Sequence, residues 1–259
     1  MHNFEIVHGY YENYKSATVD TRISPNDSMN NQWYFQVGCS AVEIIIAACL
    51  ASNIRNVDRV LDLPCGHGRV LRHLVKLFAN AEFDACDLDV DGVDFCAATF
   101  GANAIHSSSD LLDVDFRDRY DLIWVGSLFT HTSERITRKW MAHLAKLLRP
   151  NGVLVATLHG RWSESVHKVA PYIAEDRWQS IVDQYNSHGY GYGDYRREES
   201  HEFITEGYGI SLVKPHMAIE IVENIPGVRL FLYGERAWAD HQDVIAFGLP
   251  AFDQPWPKQ

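Results

Sequence analysis

The stretch VLDLPCGHGRVLRHL, residues 60–74, limits this chain more than any other. Val60, Leu61 and Leu63 make a short apolar run that Pro64 ends. Glycines follow at 66 and 68, and apolar residues return at 70, 71, 74, 75 and 78. That last spacing is helical, so the segment reads as strand, tight turn, helix. Glycine at such a turn lets backbone N–H groups and a helix N-terminus come close to a ligand, and that helix end favours negative charge. Asp62, at the strand's end, can accept hydrogen bonds from a ligand ammonium.

Composition excludes some functions. With 23 basic and 34 acidic side chains among 259 residues the net charge is −11, which opposes a nucleic-acid backbone, so no nucleic-acid partner is expected. The hydrophobic share of 46% fits an ordinary globule large enough for one α/β domain with insertions. The N-terminus MHNFEIVHGYYENYK lacks a basic region followed by an apolar core. No apolar run of membrane-spanning length is apparent, and a cytoplasmic location is expected. The cysteines at 39, 49, 65, 86 and 96 are odd in number and four lie in apolar surroundings, which predicts reduced thiols. Among thirteen histidines there is no HExxH pair, and CxxC is absent, so no metal site is expected.

Taken in order, residues 1–32 are polar and read as a loose lead-in with a turn at Ser24–Asp27. Apolar residues at 42, 45, 46, 49 and 50 predict a helix with Ser40 as N-cap, preceded by Trp33, Tyr34 and Phe35. Residues 82–89 (EFDACDLD) form a second strand ending in acids, a helix spans 90–100, and 104–107 is a short third strand. YDLIWVGS, 120–127, is a continuous apolar strand of the kind buried on both faces of a parallel sheet. Ser133 caps a helix with a stripe of Ile136, Trp140, Leu144, Leu147 and Leu148, and Arg149–Gly152 turns into a strand at 153–158. Pro171 can open a helix carrying Ile173, Trp178, Ile181, Val182 and Tyr185. Residues 161–213 as a whole read as a cap inserted after the fifth strand. Pro215 opens a last helix, and two strands follow at 228–233 and 243–249.

Asp62, Gly66 and Gly68 resemble motif I of the class I S-adenosylmethionine (SAM) dependent methyltransferases: an acid, any residue, then Gly-x-Gly-x-Gly. Pro64 stands at the first glycine. A dinucleotide-binding turn would want a third glycine where Leu71 stands, which disfavours NAD. The run Ser127-Leu128-Phe129-Thr130-His131 after the fourth strand, then a helix and the turn Leu148-Arg149-Pro150-Asn151-Gly152, is similar to many bacterial methyltransferases, including ones that tailor glycans. Two sub-classes do not match. Gly126-Ser127-Leu128-Phe129 lacks the prolines of nucleobase amino methyltransferases. No carboxylate lies between Asp121 and Glu134 to hold the magnesium of catechol-type enzymes.

The resemblance implies a Rossmann-like three-layer α/β sandwich with a seven-stranded, mostly parallel sheet of order 3-2-1-4-5-7-6. It implies SAM as cofactor and methyl transfer to a hydroxyl of a small molecule, foremost a sugar or glycan. A natural-product O- or N-methyltransferase and a catalytically idle SAM-binding scaffold are the alternatives, and a homodimer is left open. Its cofactor residues here would be Asp62, Pro64, Cys65, Gly66, Gly68, Arg69, Asp87, Leu88, Asp110, Leu111, Gly126 and Ser127. Asp87 would hold the ribose hydroxyls, with Asp89 a neighbouring candidate that can equally cap a helix, and Asp110 would meet the adenine amino group. Tyrosines 185, 190, 192 and 195, with Trp162 and Trp178, offer flat faces to an acceptor ring or pack the cap. A hydroxyl acceptor benefits from a base, and His131 and His159 lie at the carboxyl edge of the fourth and fifth strands, with His201 reaching from the cap. The expected organisation is 1–58 as an N-terminal lead-in and helix over the cofactor mouth, 59–160 as SAM-binding core, 161–213 as cap, 214–250 as the last helix and two strands, and 251–259 as tail.

Overall fold

The computed structural model describes residues 3–116, 118–196 and 207–250; His201 and the tail at 251–259 lie outside the described residues. Seven strands form one sheet: β1 (Arg59–Asp62), β2 (Glu82–Asp87), β3 (Asn103–His106), β4 (Tyr120–Val125), β5 (Leu148–Leu158), β8 (Arg229–Trp238) and β9 (Gln242–Gly248). Their order is β3-β2-β1-β4-β5-β9-β8, with β9 antiparallel to both neighbours and the first five strands parallel. Counting β8 and β9 as the sixth and seventh strands of this sheet gives the expected 3-2-1-4-5-7-6. The chain reverses direction across the sheet between β1 and β4, so their carboxyl ends open a crevice.

Period-2 alternation divides the core into two faces. Val60, Leu122, Trp124, Val153, Val155, Val244 and Ala246 pack toward α1 (Asn3–Ser16), α2 (Tyr34–Ser52), α3 (Leu71–Leu77) and α4 (Val90–Phe100). Leu61, Leu63, Ile123, Val125, Leu154, Ala156, Ile245 and Phe247 pack toward α5 (Glu134–Ala145) and α8 (Pro215–Glu223). The inserted cap holds α6 (Arg161–His167), α7 (Glu175–His188) and an antiparallel pair, β6 (Tyr190–Asp194) with β7 (Gly209–Val213). It has a small core of its own built on Ile173, Trp178, Ile181, Tyr185, Ile210 and Leu212. β7 also bonds to the main body: the N–H groups of Gly209, Ser211 and Val213 donate to the carbonyls of His131, Thr130 and His159.

Four sequence expectations change. Residues 3–16 are helix α1, docked by Val7 and Tyr14 into the core, rather than part of a loose lead-in. Helix α2 begins at Tyr34, so Ser40 is not its cap; the Ser40 hydroxyl donates to Val37 O and accepts from Ala239 N–H. By length and composition α2 could also cross a membrane, contrary to the expectation that no such segment exists; here it packs on the sheet and on α1 and α3. The helix expected from Pro171 starts at Glu175, because the Tyr172 N–H donates to His167 Nδ1 and Ala174 is extended.

The contact of α1, α2 and α3 centres on His73. Its Nδ1 shares a 2.7 Å hydrogen bond with the Tyr14 hydroxyl, and its Nε2 is buried without a partner. A Cβ on Gly38 would fall 2.6 Å from its ring, so the helices touch there only because Gly38 has no side chain. Burial first, then the charges of Arg72 and Lys76, lower the His73 pKa to about 4. The unfolded chain therefore binds a proton more tightly. The stabilisation is complete above the unfolded value near 6.5 and is lost as pH falls toward 4. Denaturant unfolding at pH 7, 5.5 and 4 should show His73→Gln losing less stability on acidification than the parent, by an amount on the order of 3 kcal/mol.

Candidate cofactor and acceptor site

Beyond β1 the chain enters the glycine turn through a cis Leu63–Pro64 bond. The Gly68 N–H donates to Cys65 O, which closes the turn, and the Cys65 N–H donates to Cys86 O, which ties it to β2. Gly66 (φ 48°) and Gly68 (φ 77°) both occupy the left-handed region. Gly68 has a second constraint: a Cβ there would meet the Phe100 ring at 2.4 Å. The Gly66 N–H donates to Asp87 Oδ2 at 2.7 Å, and Asp87 Oδ1 accepts from Asp89 N–H at 3.0 Å. Asp87 therefore holds the turn from the tip of β2. The Asp89 carboxylate accepts from Gly92 N–H and caps α4, the helix-capping role that the sequence allowed it.

Asp62 is buried and neither of its oxygens has a hydrogen-bond partner of ordinary geometry. Burial, then the Asp87 carboxylate, raise its pKa well above the usual carboxylate range, against opposing pulls from the Leu71 N–H and Arg69. Burial lowers the Arg69 pKa; its guanidinium lies 5.8 Å from the Trp238 ring centre and forms no ion pair among the described residues. Arg72, by contrast, is saturated. It donates to the carbonyls of Asp20, Arg22 and Gly68 and to the Tyr34 hydroxyl, which itself donates to Asp27 at 2.6 Å. That network lays residues 20–34 over the glycine turn.

Asp62, Arg69, Asp87 and the glycine turn face one cavity of about 890 Å³. Of the residues expected at a cofactor, Asp62, Pro64, Cys65, Gly66, Arg69, Asp87, Leu88, Leu111, Gly126 and Ser127 line it, while Gly68 lies behind the turn. Asp110 does not line it. Its carboxylate accepts from Lys139 at 2.5 Å, from Trp140 Nε1 at 3.0 Å and from Leu112 N–H, and the Lys139 bond is the first cause of a pKa lowered to about 2. A direct contact from Asp110 to a ligand is therefore not what the structure shows; Ser109, Leu111 and Trp140 face the cavity at that end.

The opposite end holds His131 and His159. His131 Nδ1 donates to Gly209 O at 2.7 Å, so in the neutral ring Nε2 carries the lone pair. Its ring stacks on Tyr208 at 4.4 Å and meets His159 edge-on at 6.2 Å. His159 is buried with its Nδ1 unpartnered, and burial first, then His131 and His241, push its pKa well below 6.5, so it is neutral. Tyr172 stacks on His159 at 5.2 Å and shares a 2.6 Å hydrogen bond with His241 Nε2. Sequence reasoning missed Tyr172, Tyr208, His241, Gln242 and the loop Asn26–Met29, all of which line the cavity. Of the cap aromatics it weighed, only Tyr195 does; Trp178 and Tyr185 pack the cap core.

The comparisons agree with this geometry. A methyltransferase domain family matches residues 61–154. Over 101 residues, 38% of this chain, the sequence is 29% identical to a fatty-acid O-methyltransferase of Mycolicibacterium smegmatis, and the match spans only 36% of that protein. Solved structures show the same fold. A SAM-dependent methyltransferase from Clostridium acetobutylicum (TM-score 0.54, 12% identity) covers 86% of this chain and 94% of its own. The CcbJ methyltransferase from Streptomyces caelestis (0.52, 16%) covers 88% and 100%. The magnesium protoporphyrin IX methyltransferase from Synechocystis, solved with bound S-adenosylhomocysteine (0.52, 11%), covers 96% and 97%. This is the class I methyltransferase fold, and the Synechocystis neighbour holds the demethylated form of SAM.

The residues present fit that cofactor. The unpartnered acceptors of Asp62 suit an ammonium, the unpaired Arg69 suits a carboxylate, and Asp87 keeps lone pairs for a diol. The two turn glycines should respond differently to alanine. Gly66 has open space around the new Cβ and meets only the backbone penalty, about 1 kcal/mol, whereas Gly68 meets that penalty and the Phe100 ring, about 3 kcal/mol together. Chemical denaturation of Gly66→Ala and Gly68→Ala measures both.

Proposed function

We propose that this chain transfers the methyl group of SAM to a hydroxyl oxygen of a small ring-shaped acceptor, foremost a sugar or glycan unit. The observation that carries the cofactor half is the buried Asp62 carboxylate beneath a glycine turn, whose oxygens form no hydrogen bond of ordinary geometry and no ion pair among the described residues. A SAM ammonium held there supplies the missing counter-charge, and Arg69 pairs with the carboxylate on the same amino-acid tail. SAM, when bound, supplies an electrophilic methyl on a sulfonium. The residues of the chain then have to orient the acceptor in line with it and take one proton.

His131 is suited to the proton. Gly209 O fixes the hydrogen on Nδ1, which leaves Nε2 as the accepting atom on a ring that lines the cavity. His159, held neutral by burial, and the Tyr172–His241 pair supply aromatic faces and polar edges of the kind that a sugar ring meets. An oxygen acceptor is also in keeping with the name of the Mycolicibacterium relative, an O-methyltransferase.

Two measurements test the reading. Calorimetry with SAM should show Asp87→Ala binding about a hundredfold more weakly, a loss of roughly 2–3 kcal/mol, because the substitution removes both a ligand contact and the bond that holds Gly66. An unchanged constant would remove Asp87 from the site. In His131→Ala, kcat should fall by roughly 10²–10⁴ with SAM affinity nearly unchanged, and the acidic limb of the rate profile should disappear. A variant that keeps that limb would place the base elsewhere.

A further inference from the structure

Ser127, just past β4, is not a glycine, yet it sits at φ 58° and lines the cavity. What holds it is a closed ring of three hydrogen bonds. The Ser127 N–H donates to Thr157 Oγ1 at 2.8 Å, the Thr157 hydroxyl donates to Gln242 Oε1 at 2.6 Å, and Gln242 Nε2 donates to Ser127 Oγ at 2.8 Å. The ring fixes which way the Gln242 amide points. Thr157 Oγ1 accepts the Ser127 N–H and donates its own hydrogen to Oε1, which leaves Nε2 toward Ser127. Thr157 is fully buried and Gln242 nearly so. The ring uses one of the two Gln242 N–H hydrogens and leaves the Ser127 hydroxyl hydrogen unspent, and both residues face the cavity that holds His131 and His159. The second sign of a polar ligand is the buried, unpartnered Nδ1 of His159 in the same wall.

Two adjacent donors in the same cavity as a histidine base want an oxygen that is not the one losing its proton. We infer that the acceptor is a vicinal diol, with Ser127 and Gln242 holding one oxygen while the neighbouring hydroxyl is methylated beside His131. This rests on the proposed methyl transfer and names its substrate class. In the step, the hydroxyl oxygen forms the new C–O bond as the C–S bond breaks with its electron pair on sulfur, and the hydroxyl proton passes to His131 Nε2. Thr157 touches no ligand and acts as a positioning residue, keeping the Gln242 amide from turning its oxygen into the site. Vicinal diols occur in sugar rings and in catechols, and the same donors suit both.

The test uses the full chain saturated with S-adenosylhomocysteine and titrated with methyl β-D-glucopyranoside, with catechol, and with phenol as the probe lacking the second oxygen, read by saturation-transfer NMR. One diol should bind at millimolar concentration, and which one identifies the ring type. Gln242→Leu, and the shape-preserving Gln242→Glu at pH 8, should each weaken that diol about tenfold. Thr157→Val should weaken it several-fold, and none of the three should shift S-adenosylhomocysteine affinity more than twofold or alter phenol binding. Diol binding that is indifferent to Gln242, no diol binding up to roughly 10 mM, or loss of S-adenosylhomocysteine affinity in the Gln242 variants would overturn the inference. Failure of the parent protein to bind S-adenosylhomocysteine at all would strike the methyltransferase reading itself.

Discussion

A carboxylate with no counter-charge at the tip of a buried central strand is the constraint around which this fold is arranged. Removing an ionised carboxyl from water without a partner costs several kcal/mol, and proteins answer by protonating the group or by supplying a cation. Asp62 forms no ion pair among the described residues, and burial holds its pKa well above the usual carboxylate range in spite of Arg69. Its neighbour Asp87 makes matters worse, since each carboxylate disfavours ionisation of the other. The chain tolerates this because Asp87 is used twice: its oxygens take the N–H groups of Gly66 and Asp89 and so shape the turn that covers Asp62. An acid whose folded pKa is raised destabilises the fold above that pKa and ceases to do so as pH falls. A bound cation relieves the same deficit at neutral pH, so ligand binding and the stability of the turn are linked through one residue.

The opposite solution is found past the glycine turn, at the start of α3. Arg72 is a buried cation satisfied by four backbone carbonyls and a phenol rather than by a carboxylate. Those carbonyls belong to Asp20, Arg22, His67 and Gly68, so a single guanidinium joins the N-terminal segment to the glycine turn and the start of α3. His67 and Asn26, both donating to Asp91, repeat the tie on the α4 side. The N-terminal segment thus becomes a wall of the cavity although it has almost no regular structure between Ala17 and Trp33.

The sheet and the glycine turn were legible because their signals are local. Runs such as YDLIWV can be buried on both faces only inside a parallel sheet, and a left-handed turn after a strand needs glycine. Helix α1 was not legible, because its polar, tyrosine-rich sequence docks through Val7, Tyr10 and Tyr14, two of them phenols, too few apolar positions to register as a stripe. Asp110 was misplaced for a related reason. The sequence puts an acid at the expected position, but Lys139 and Trp140, about thirty residues later, claim its oxygens. Spacing along the chain cannot report a competing partner that arrives from another helix.

The acceptor end shows the same limit in its strongest form. The protonation pattern of His131 is set by Gly209 O, a backbone atom 78 residues away in the cap, and the stack on its face is Tyr208 from the same strand end. No side-chain pattern encodes a hydrogen bond to a main-chain carbonyl, so the sequence can nominate the histidine but not its tautomer. The structural consequence is that the cap and the chemistry are not separable. β7 is hooked to the loop after β4 and to the end of β5 by three backbone hydrogen bonds, at Gly209, Ser211 and Val213. Those are the two places that carry His131 and His159. A cap that shifts by a fraction of a hydrogen-bond length therefore re-aims the accepting nitrogen as well as reshaping the pocket wall, and acceptor choice is coupled to proton removal through the same strand.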